Sequence, residues 1–187
     1  MTIETTRRTT LAALAGLAVW PASAQQPAAD PQNTVVLETK DGRVTIKLRP
    51  DLAPKHAEQI RTLVKRGFYD GLVFHRVIGG FMAQTGDPKG NGTGGSDLPN
   101  IPAEFTSTPF KRGTVGMARS QSPNSANSQF FICLADAAFL NNNYTVIGEV
   151  TSGMDVVDKI KKGDQANNGA VSDPDKIVRM RLAADAG

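Results

Sequence analysis

The sequence predicts an all-β fold, a closed eight-stranded antiparallel barrel capped by two α-helices. From residue 33 onward, about eight short runs of strand-forming residues follow one another, and most are joined by turn residues. Only two segments of this region have helical periodicity. A sheet with so many strands has to protect its edges from other chains, and closing into a barrel removes the edges. The two helices can then cover the open ends.

The first two strands are predicted to form a hairpin. Residues 34–40 and 43–49 flank Asp41-Gly42, a dipeptide typical of a two-residue hairpin turn. In the second run polar and apolar residues alternate, the apolar ones being Val44, Ile46 and Leu48. Because successive side chains of a strand point to opposite faces, this run has one face for the core and one for water.

Two later segments change to helical spacing. Pro54 suits the first turn of a helix, and Gly67 ends the pattern. The apolar residues between them recur every three or four positions: Ala53, Ala57, Ile60 and Val64. A second helix is predicted over residues 154–161. The remaining strands are predicted over residues 73–78, 81–85, 114–118, 129–134, 145–150 and 176–182.

The composition fits one globular domain and excludes several functions. The chain has 187 residues and a formal net charge of +3, and its basic residues form no run longer than a pair. Without a concentrated basic stripe, no nucleic-acid partner is expected. The lone Cys133 cannot form an intrachain disulfide, and no Cys/His spacing matches a zinc site, so no metal or cofactor is expected. Cys133 is predicted to be buried, the alternatives being an intermolecular disulfide or a reactive thiol.

The amino terminus has the pattern of an export signal. Arg7-Arg8 precede a short apolar stretch, and an Ala-x-Ala site ends at Ala24. We therefore expect a signal peptide over residues 1–24, a flexible leader over 25–32 and the folded domain over 33–187, with a periplasmic location. Paired arginines favour twin-arginine export over the general route, and both stay open. An uncleaved anchor or a folded helix is the competing interpretation, although the stretch is too short to span a bilayer.

A long segment, residues 86–112, is rich in glycine and proline. Loops of this length in a compact domain are usually functional. Residues 90–95 match G-x-G-x-x-G, but a dinucleotide site needs this motif to open a helix in a βαβ unit. Pro99 and Pro102 follow instead, so a nucleotide site is excluded.

Two segments, residues 74–87 and 123–132, combine polar side chains with large apolar ones. If residues 73–78 form a strand, Phe74 and Arg76 share one face, while His75 points to the other. His75 is then predicted to be a core histidine bonded to backbone, whereas His56, on the first helix, is predicted to be exposed. After a glycine bend, Phe81 and Met82 offer an apolar floor.

These segments carry a resemblance to the cyclophilin family of prolyl isomerases. The motifs FHRVI-GFM-Q-GD, GTGG, GTVGMA and NS-SQFFI occur in the family's order, and the resemblance covers nearly all of residues 34–182. It implies the same capped eight-stranded barrel and an enzyme that rotates X-Pro peptide bonds. Such an enzyme needs no nucleophile, metal or proton transfer.

The resemblance also implies the roles of individual residues. Arg76 is the expected catalytic group, and Gln84 and the backbone of Arg119 are expected to hold substrate carbonyls, with Ala118 beside them. The proline ring is expected in an apolar pocket of Phe81, Met82, Phe131 and Leu140. Gln129, Phe139 and Tyr144 complete the expected substrate-binding set. For Gln129 two interpretations stay open, support of Arg76 or completion of a strand. Arg76 alone would be interpreted as an arginine paired with a carboxylate.

Three departures from the family's pattern modify these expectations. Phe139 stands where members that bind cyclosporin tightly carry tryptophan, so weakened cyclosporin binding is expected. Tyr144 stands where many members have histidine, and activity is expected to survive because both rings are flat with a polar tip. The loop that begins at Arg119 is one residue longer than in the best-known eukaryotic members, so the course of the backbone at Arg119 is expected to differ more from the family's than that at Arg76.

The predicted function is therefore a peptidyl-prolyl cis-trans isomerase that assists the folding of exported proteins. Its expected partners are unfolded or partly folded proline-containing polypeptides, and the protein is expected to be a monomer with no membrane insertion after signal cleavage. The alternative is a proline-peptide-binding module or holdase chaperone with little catalysis. A hydrolase that uses His75 or Cys133 is a third hypothesis, which no sequence motif supports.

Overall fold

The structure is a computed structural model that describes residues 30–185. The expected signal peptide and residues 25–29 of the expected leader lie outside the described residues. Within them, eight strands form one antiparallel sheet, and two α-helices accompany it. No helix in this part of the chain is long and apolar enough to cross a membrane.

The hairpin predicted at the start of the domain is confirmed. Strand β1, Thr34–Thr39, pairs with β2, Gly42–Leu48, in antiparallel register, with Thr39 opposite Gly42. The two turn residues are therefore Lys40 and Asp41, one position earlier than predicted. Gly42 opens β2 with a φ of +137°, a conformation that favours glycine.

The six other predicted strands are also present, with ends shifted by one to three residues. Their order in the sheet is β3-β4-β6-β5-β7-β2-β1-β8. The strands are β3 Arg76–Ile78, β4 Met82–Thr85, β5 Thr114–Met117, β6 Phe130–Cys133, β7 Val146–Ser152 and β8 Arg179–Leu182.

The closed barrel predicted from the sequence is wrong, because the sheet is an open half-barrel. Its edge strands β3 and β8 do not pair with each other. Residues 163–178 lie between them and contribute only isolated bridges, such as Val73 with Lys176 and Arg76 with Ala170. The physical reason is local backbone conformation: Asn168 and Asp173 have φ values of +51° and +52°, which a continuous strand cannot accommodate.

Both predicted helices are confirmed, and they pack against the core. Helix α1 is Pro54–Lys65 and buries Ile60 and Leu63 among the sheet residues, while α2 is the shorter segment Met154–Lys159. A second, smaller cluster of buried side chains lies apart from this core. Its buried members are Met82, Phe110, Phe131, Cys133, Ala137, Leu140 and Val146.

His56 is fully buried, so its predicted exposure is wrong. Its Nδ1 lies 2.6 Å from Oε2 of Glu104, and the same carboxylate accepts hydrogen bonds from the backbone N–H groups of Lys55 and His56, at 3.2 and 3.1 Å. Glu104 therefore caps the start of α1, where Ala53 offers no side-chain cap. This contact joins residues 48 positions apart, which helical periodicity cannot reveal.

Candidate active site

Arg76 opens β3, and its half-buried guanidinium is fixed by neutral acceptors on two sides. Directly across the β3–β4 pair lies Gln84, whose Oε1 accepts a 3.2 Å hydrogen bond from Nη1 of Arg76. On the other side, Nε donates to the backbone oxygen of Asn168 and Nη2 to its Oδ1, both at 2.9 Å. No carboxylate among residues 30–185 forms an ion pair with Arg76. Burial lowers the pKa of Arg76, and a guanidinium still remains charged at neutral pH.

Phe74 does not lie on the same face as Arg76, contrary to the prediction. Its ring is fully buried in the main core together with Val77, whereas Arg76 borders open space. The strand begins only at Arg76, so the alternation of faces does not extend back to Phe74.

Beside Arg76 lies an apolar floor built from neighbouring strands. Met82 and Gln84 are two residues apart on β4 and therefore point to the same side of the sheet. Phe131 on β6 pairs with Gln84, and its ring is 5% exposed. Leu140, from a short 3-10 helix, completes the buried floor. An apolar surface therefore lies next to a cation that has no carboxylate partner within residues 30–185.

These residues border an open groove of about 520 Å³. Ten of the eleven residues expected from the sequence line it, and Asn143 was not expected. The lining consists of Arg76, Phe81, Met82, Gln84, Ala118, Arg119, Phe131, Phe139, Leu140, Asn143 and Tyr144.

Gln129 is the expected residue that does not line this groove. It borders an adjoining polar hollow of about 440 Å³, formed largely by residues 92–96 and by the loop that follows Ala118. Its Oε1 accepts a 2.9 Å hydrogen bond from Nε2 of Gln84, which in turn contacts Arg76. The contact favours the interpretation in which Gln129 supports Arg76, although Gln129 also precedes the first residue of β6.

Arg119 borders both the groove and the hollow. Its guanidinium lies 4.5 Å from the centre of the Tyr144 ring and donates to the backbone oxygens of Asn143 and Ser120, each at 2.9 Å. Within residues 30–185 its backbone N–H has no hydrogen-bond partner. That N–H is the donor expected for a substrate carbonyl. Ala118, one residue earlier, donates its own N–H to the backbone oxygen of Gln129 at 3.0 Å.

Two aromatic rings form the rim of the groove. Phe139 is 68% exposed, and its ring centre lies 5.2 Å from that of Phe81. Tyr144 is half-buried, with its ring edge-on to Phe131 at 6.0 Å. The floor is thus buried while the rim is accessible, as a binding groove for a chain segment requires.

His75 and Cys133 both lie away from the groove lining. His75 is buried as predicted, and its contact with backbone is only a weak one to Val73, because neither ring nitrogen has a partner at good hydrogen-bond geometry in the described part of the chain. Cys133 is buried, as predicted, and burial raises the pKa of its thiol to about 12. Such a thiol is a poor nucleophile at neutral pH, and no geometry supports the hydrolase hypothesis.

Sequence reasoning missed Asn168, which contacts Arg76 across 92 positions of the chain. The only local signal is the Asn167-Asn168-Gly169 sequence, which is typical of a turn. A turn signal gives no information about the partner of the turn. Asn143, whose backbone oxygen accepts a hydrogen bond from the Arg119 guanidinium, was also missed, because no local signal identifies a distant partner.

A half-barrel of eight antiparallel strands and two helices, with an apolar groove beside a fixed arginine, is the architecture of the cyclophilins. Residues 34–182 match the family model for cyclophilin type peptidyl-prolyl cis-trans isomerase/CLD. The chain therefore belongs to the cyclophilin family and is a peptidyl-prolyl cis-trans isomerase.

Named relatives agree with this assignment. A probable peptidyl-prolyl cis-trans isomerase of Brucella suis is 60% identical over 190 residues, which cover 95% of this chain and 97% of that protein. The peptidyl-prolyl cis-trans isomerase-like 1 protein of Aspergillus fumigatus is 37% identical, covering 81% of this chain and 96% of the relative.

Solved structures show the same fold. Cyclophilin AquaCyp293 from Hirschia baltica superimposes with a TM-score of 0.76 at 30% identity, over 84% of this chain and 76% of that one. A cyclophilin type peptidyl-prolyl cis-trans isomerase from Cryptosporidium parvum, crystallised in the presence of the dipeptide Ala-Pro, gives 0.72 at 27% identity, over 80% and 98%.

Proposed function

We propose that this isomerase assists the folding of exported proteins in the periplasm and that Arg76 is its catalytic residue. The proposal divides the chain into a signal peptide over residues 1–24, a leader over 25–32 and the isomerase domain over 33–187. The basic pair Arg7-Arg8, the apolar stretch and the site at Ala24 support export.

The reaction requires little covalent chemistry. Rotation about a peptide bond has a barrier of about 18–20 kcal/mol, because the nitrogen lone pair is delocalised into the carbonyl. In the twisted transition state that lone pair is localised on the proline nitrogen. A donor aimed at this nitrogen stabilises the transition state more than the planar ground state, and only such differential binding accelerates the reaction.

The observation that carries the proposal is the position of Arg76, a half-buried cation without a carboxylate partner among residues 30–185, beside the apolar floor of Met82, Phe131 and Leu140. A proline ring on that floor would bring its nitrogen within reach of the guanidinium. The N–H of Arg119 is available for a substrate carbonyl, and Gln84, whose Oε1 is bonded to Arg76 and one Nε2 hydrogen to Gln129, retains its second Nε2 hydrogen for another.

One cation does not supply the whole rate enhancement. A gain of about 10⁵ requires about 7 kcal/mol, whereas removal of one preorganised donor typically costs about 10²–10³ in rate. The remainder comes from binding the proline on the floor and from holding the flanking peptide in one orientation.

Substitution of Arg76 tests the catalytic role and also distinguishes an enzyme from a holdase. We expect Arg76→Ala to lower kcat/KM for an X-Pro peptide by about 10²–10³, and Arg76→Lys to be intermediate because an ammonium lacks the planar fork. Arg66→Ala is the control, since Arg66 is exposed and forms an ion pair with Asp97. If the wild-type protein isomerises the peptide as slowly as Arg76→Ala does and still binds it, the holdase alternative is correct and the enzyme hypothesis is wrong.

Export is tested separately on the full chain in its host. We expect the periplasmic fraction to contain a protein that begins at Gln25. Replacement of both Arg7 and Arg8 by lysine separates the two routes, because it abolishes twin-arginine export and leaves export by the general route unchanged. An intact amino terminus on the purified native protein would contradict export.

A further inference from the structure

Asn168 contacts Arg76 with two oxygens at once. Its backbone oxygen accepts from Nε and its Oδ1 accepts from Nη2, both at 2.9 Å. Since Gln84 accepts from Nη1, all three guanidinium nitrogens are held, two of them by a single residue. This arrangement fixes both the position and the plane of the group.

The backbone around Asn168 is suited to this contact. Asn168 has a φ of +51°, a left-handed conformation that asparagine, aspartate and glycine tolerate best. The following Gly169 is required, because a Cβ there would lie 2.4 Å from Cγ1 of Ile78. The Gly169 oxygen accepts a 2.8 Å hydrogen bond from the backbone N–H of Val77, the residue after Arg76.

The turn is closed at its base. The backbone N–H of Gly169 donates to the Asp164 oxygen at 2.8 Å, and the N–H of Gly163 donates to the Val77 oxygen at 2.9 Å. The Asp164 side chain caps the short 3-10 helix by accepting from the N–H of Ala166. Asn168 is therefore held in place relative to β3 by backbone bonds on both sides of Val77.

The charge of these acceptors is as informative as their position. An arginine is most often oriented by a carboxylate, because the bidentate pair is strong. Here the side chains that contact the guanidinium are the amides of Gln84 and Asn168 and the neutral sulfur of Met82, so the group is fixed without a counter-charge from the described part of the chain. A carboxylate at 2.9 Å would give stronger hydrogen bonds but would offset the positive charge that the transition state needs.

We propose that Asn168 is a positioning residue that holds the Arg76 guanidinium towards the proline nitrogen and, being neutral, leaves its charge available to the transition state. This inference rests on the catalytic role of Arg76 proposed above. It assigns a function to a residue outside the groove lining, in a turn between α2 and β8.

Three variants separate position from charge. Asn168→Gly keeps the backbone oxygen and the left-handed conformation but removes Oδ1, and we expect kcat to fall by about 3-fold to 5-fold. Asn168→Asp keeps both contacts and adds a negative charge, and we expect kcat to fall by about 30-fold, with KM changed less than 3-fold because the ground-state amide is planar. The matched control is Asn167→Asp, which makes the same charge change at the neighbouring exposed position.

The relative kcat values of the three variants decide whether the proposal holds. If Asn168 only braces the arginine, Asn168→Asp will be as active as wild type, because its hydrogen bonds are retained or strengthened, and the proposal is overturned. Equal losses in Asn168→Asp and Asn167→Asp would also overturn it, since a long-range field effect would then suffice. Matching urea unfolding curves for the variants will establish that all of them are folded.

The Arg76→Ala background distinguishes this inference from the proposed function. On that background we expect Asn168→Asp to have no further effect on kcat, whereas an undiminished effect contradicts the coupling. If Arg76→Ala itself is as active as wild type, the catalytic role of Arg76 fails. If Arg76→Ala is inactive and Asn168→Asp is not, only the role of Asn168 fails.

Discussion

The side-chain oxygen of Gln129 accepts a 2.9 Å hydrogen bond from the amide nitrogen of Gln84, and its own amide nitrogen donates to the Gly94 oxygen at 2.8 Å. Arg76 determines the direction of this chain, because a guanidinium can only donate. Oε1 of Gln84 must therefore face Arg76 and its Nε2 must face Gln129. One orientation of two amides thus links Arg76 to the glycine-rich loop.

Removal of the Gln129 side chain should make the position of Arg76 less fixed, although Gln129 itself does not line the groove. We expect Gln129→Ala to lower kcat/KM by about 10-fold, less than the approximately 100-fold loss that a full ångström of misplacement can cause. Gln121→Ala, in the exposed part of the neighbouring loop, is the control and should match wild type. A coupled isomerisation assay measures both, and full activity of Gln129→Ala would show that the amide chain is dispensable.

Gly116 leaves room for the ring of Phe131, which is part of the floor of the groove. It pairs with Phe131 across β5 and β6, and a Cβ at this position would lie 2.6 Å from Cζ of Phe131. We expect Gly116→Ala to lower the free energy of unfolding by about 1–3 kcal/mol and to reduce activity as the ring moves. Gly79→Ala is the control, because its Cβ would meet only Lys162 at 3.6 Å. Unaltered activity in a folded Gly116→Ala protein would contradict this role of Phe131.

The elements whose signals are local were predictable from the sequence. Alternation in residues 43–49 and the glycine after Asp41 predict the β1–β2 hairpin, and helical spacing after Pro54 predicts α1. The groove was predictable in a different way, through the family resemblance, because its residues come from segments that lie far apart in the chain.

The errors arose where distant segments meet. Closure of the barrel depends on residues 163–178, where positive φ values at Asn168 and Asp173 prevent a continuous strand. The burial of His56 depends on Glu104. Glu104 lies in the long loop 86–112, whose sequence has no periodicity from which its contacts could be predicted. In each case the decisive contact is tertiary, and the local pattern was compatible with more than one result.

Buried histidines make stability depend on pH. Burial is the largest cause that lowers the pKa of His75, with Asp87 opposing it and Arg76 adding to it. An unfolded histidine titrates near about 6.5, so below that pH the unfolded chain binds more protons than the folded one and stability falls. We expect urea unfolding to show full stability above about pH 7 and a loss towards pH 5.5. The His75→Leu variant should have a shallower slope, and an identical slope would contradict this prediction.

Phe139 at the groove rim should limit cyclosporin binding, since tight-binding members of the family carry tryptophan at this position. We expect Phe139→Trp to tighten cyclosporin binding about 10-fold, because the indole N–H adds a donor that phenylalanine lacks. Trp20 is the sequence's one tryptophan and lies in the expected signal peptide, so fluorescence of the mature variant would report this site alone. Phe105→Trp, at another exposed phenylalanine, is the control. Equal affinities for the three proteins would contradict the prediction.

Arg119 should make the isomerase favour acidic sequences around proline. Arg76 and Arg119 both border the groove, neither forms an ion pair within residues 30–185, and the groove lining contains no carboxylate. We expect a peptide with glutamate beside proline to exceed its lysine counterpart about 3-fold to 10-fold in kcat/KM at low salt, and less at 1 M salt, where the screening length falls to about 3 Å. Arg119→Gln should reduce this ratio while preserving hydrogen-bonding capacity. A ratio that is independent of both salt and Arg119 would show that the uncompensated charge of the groove does not select substrates.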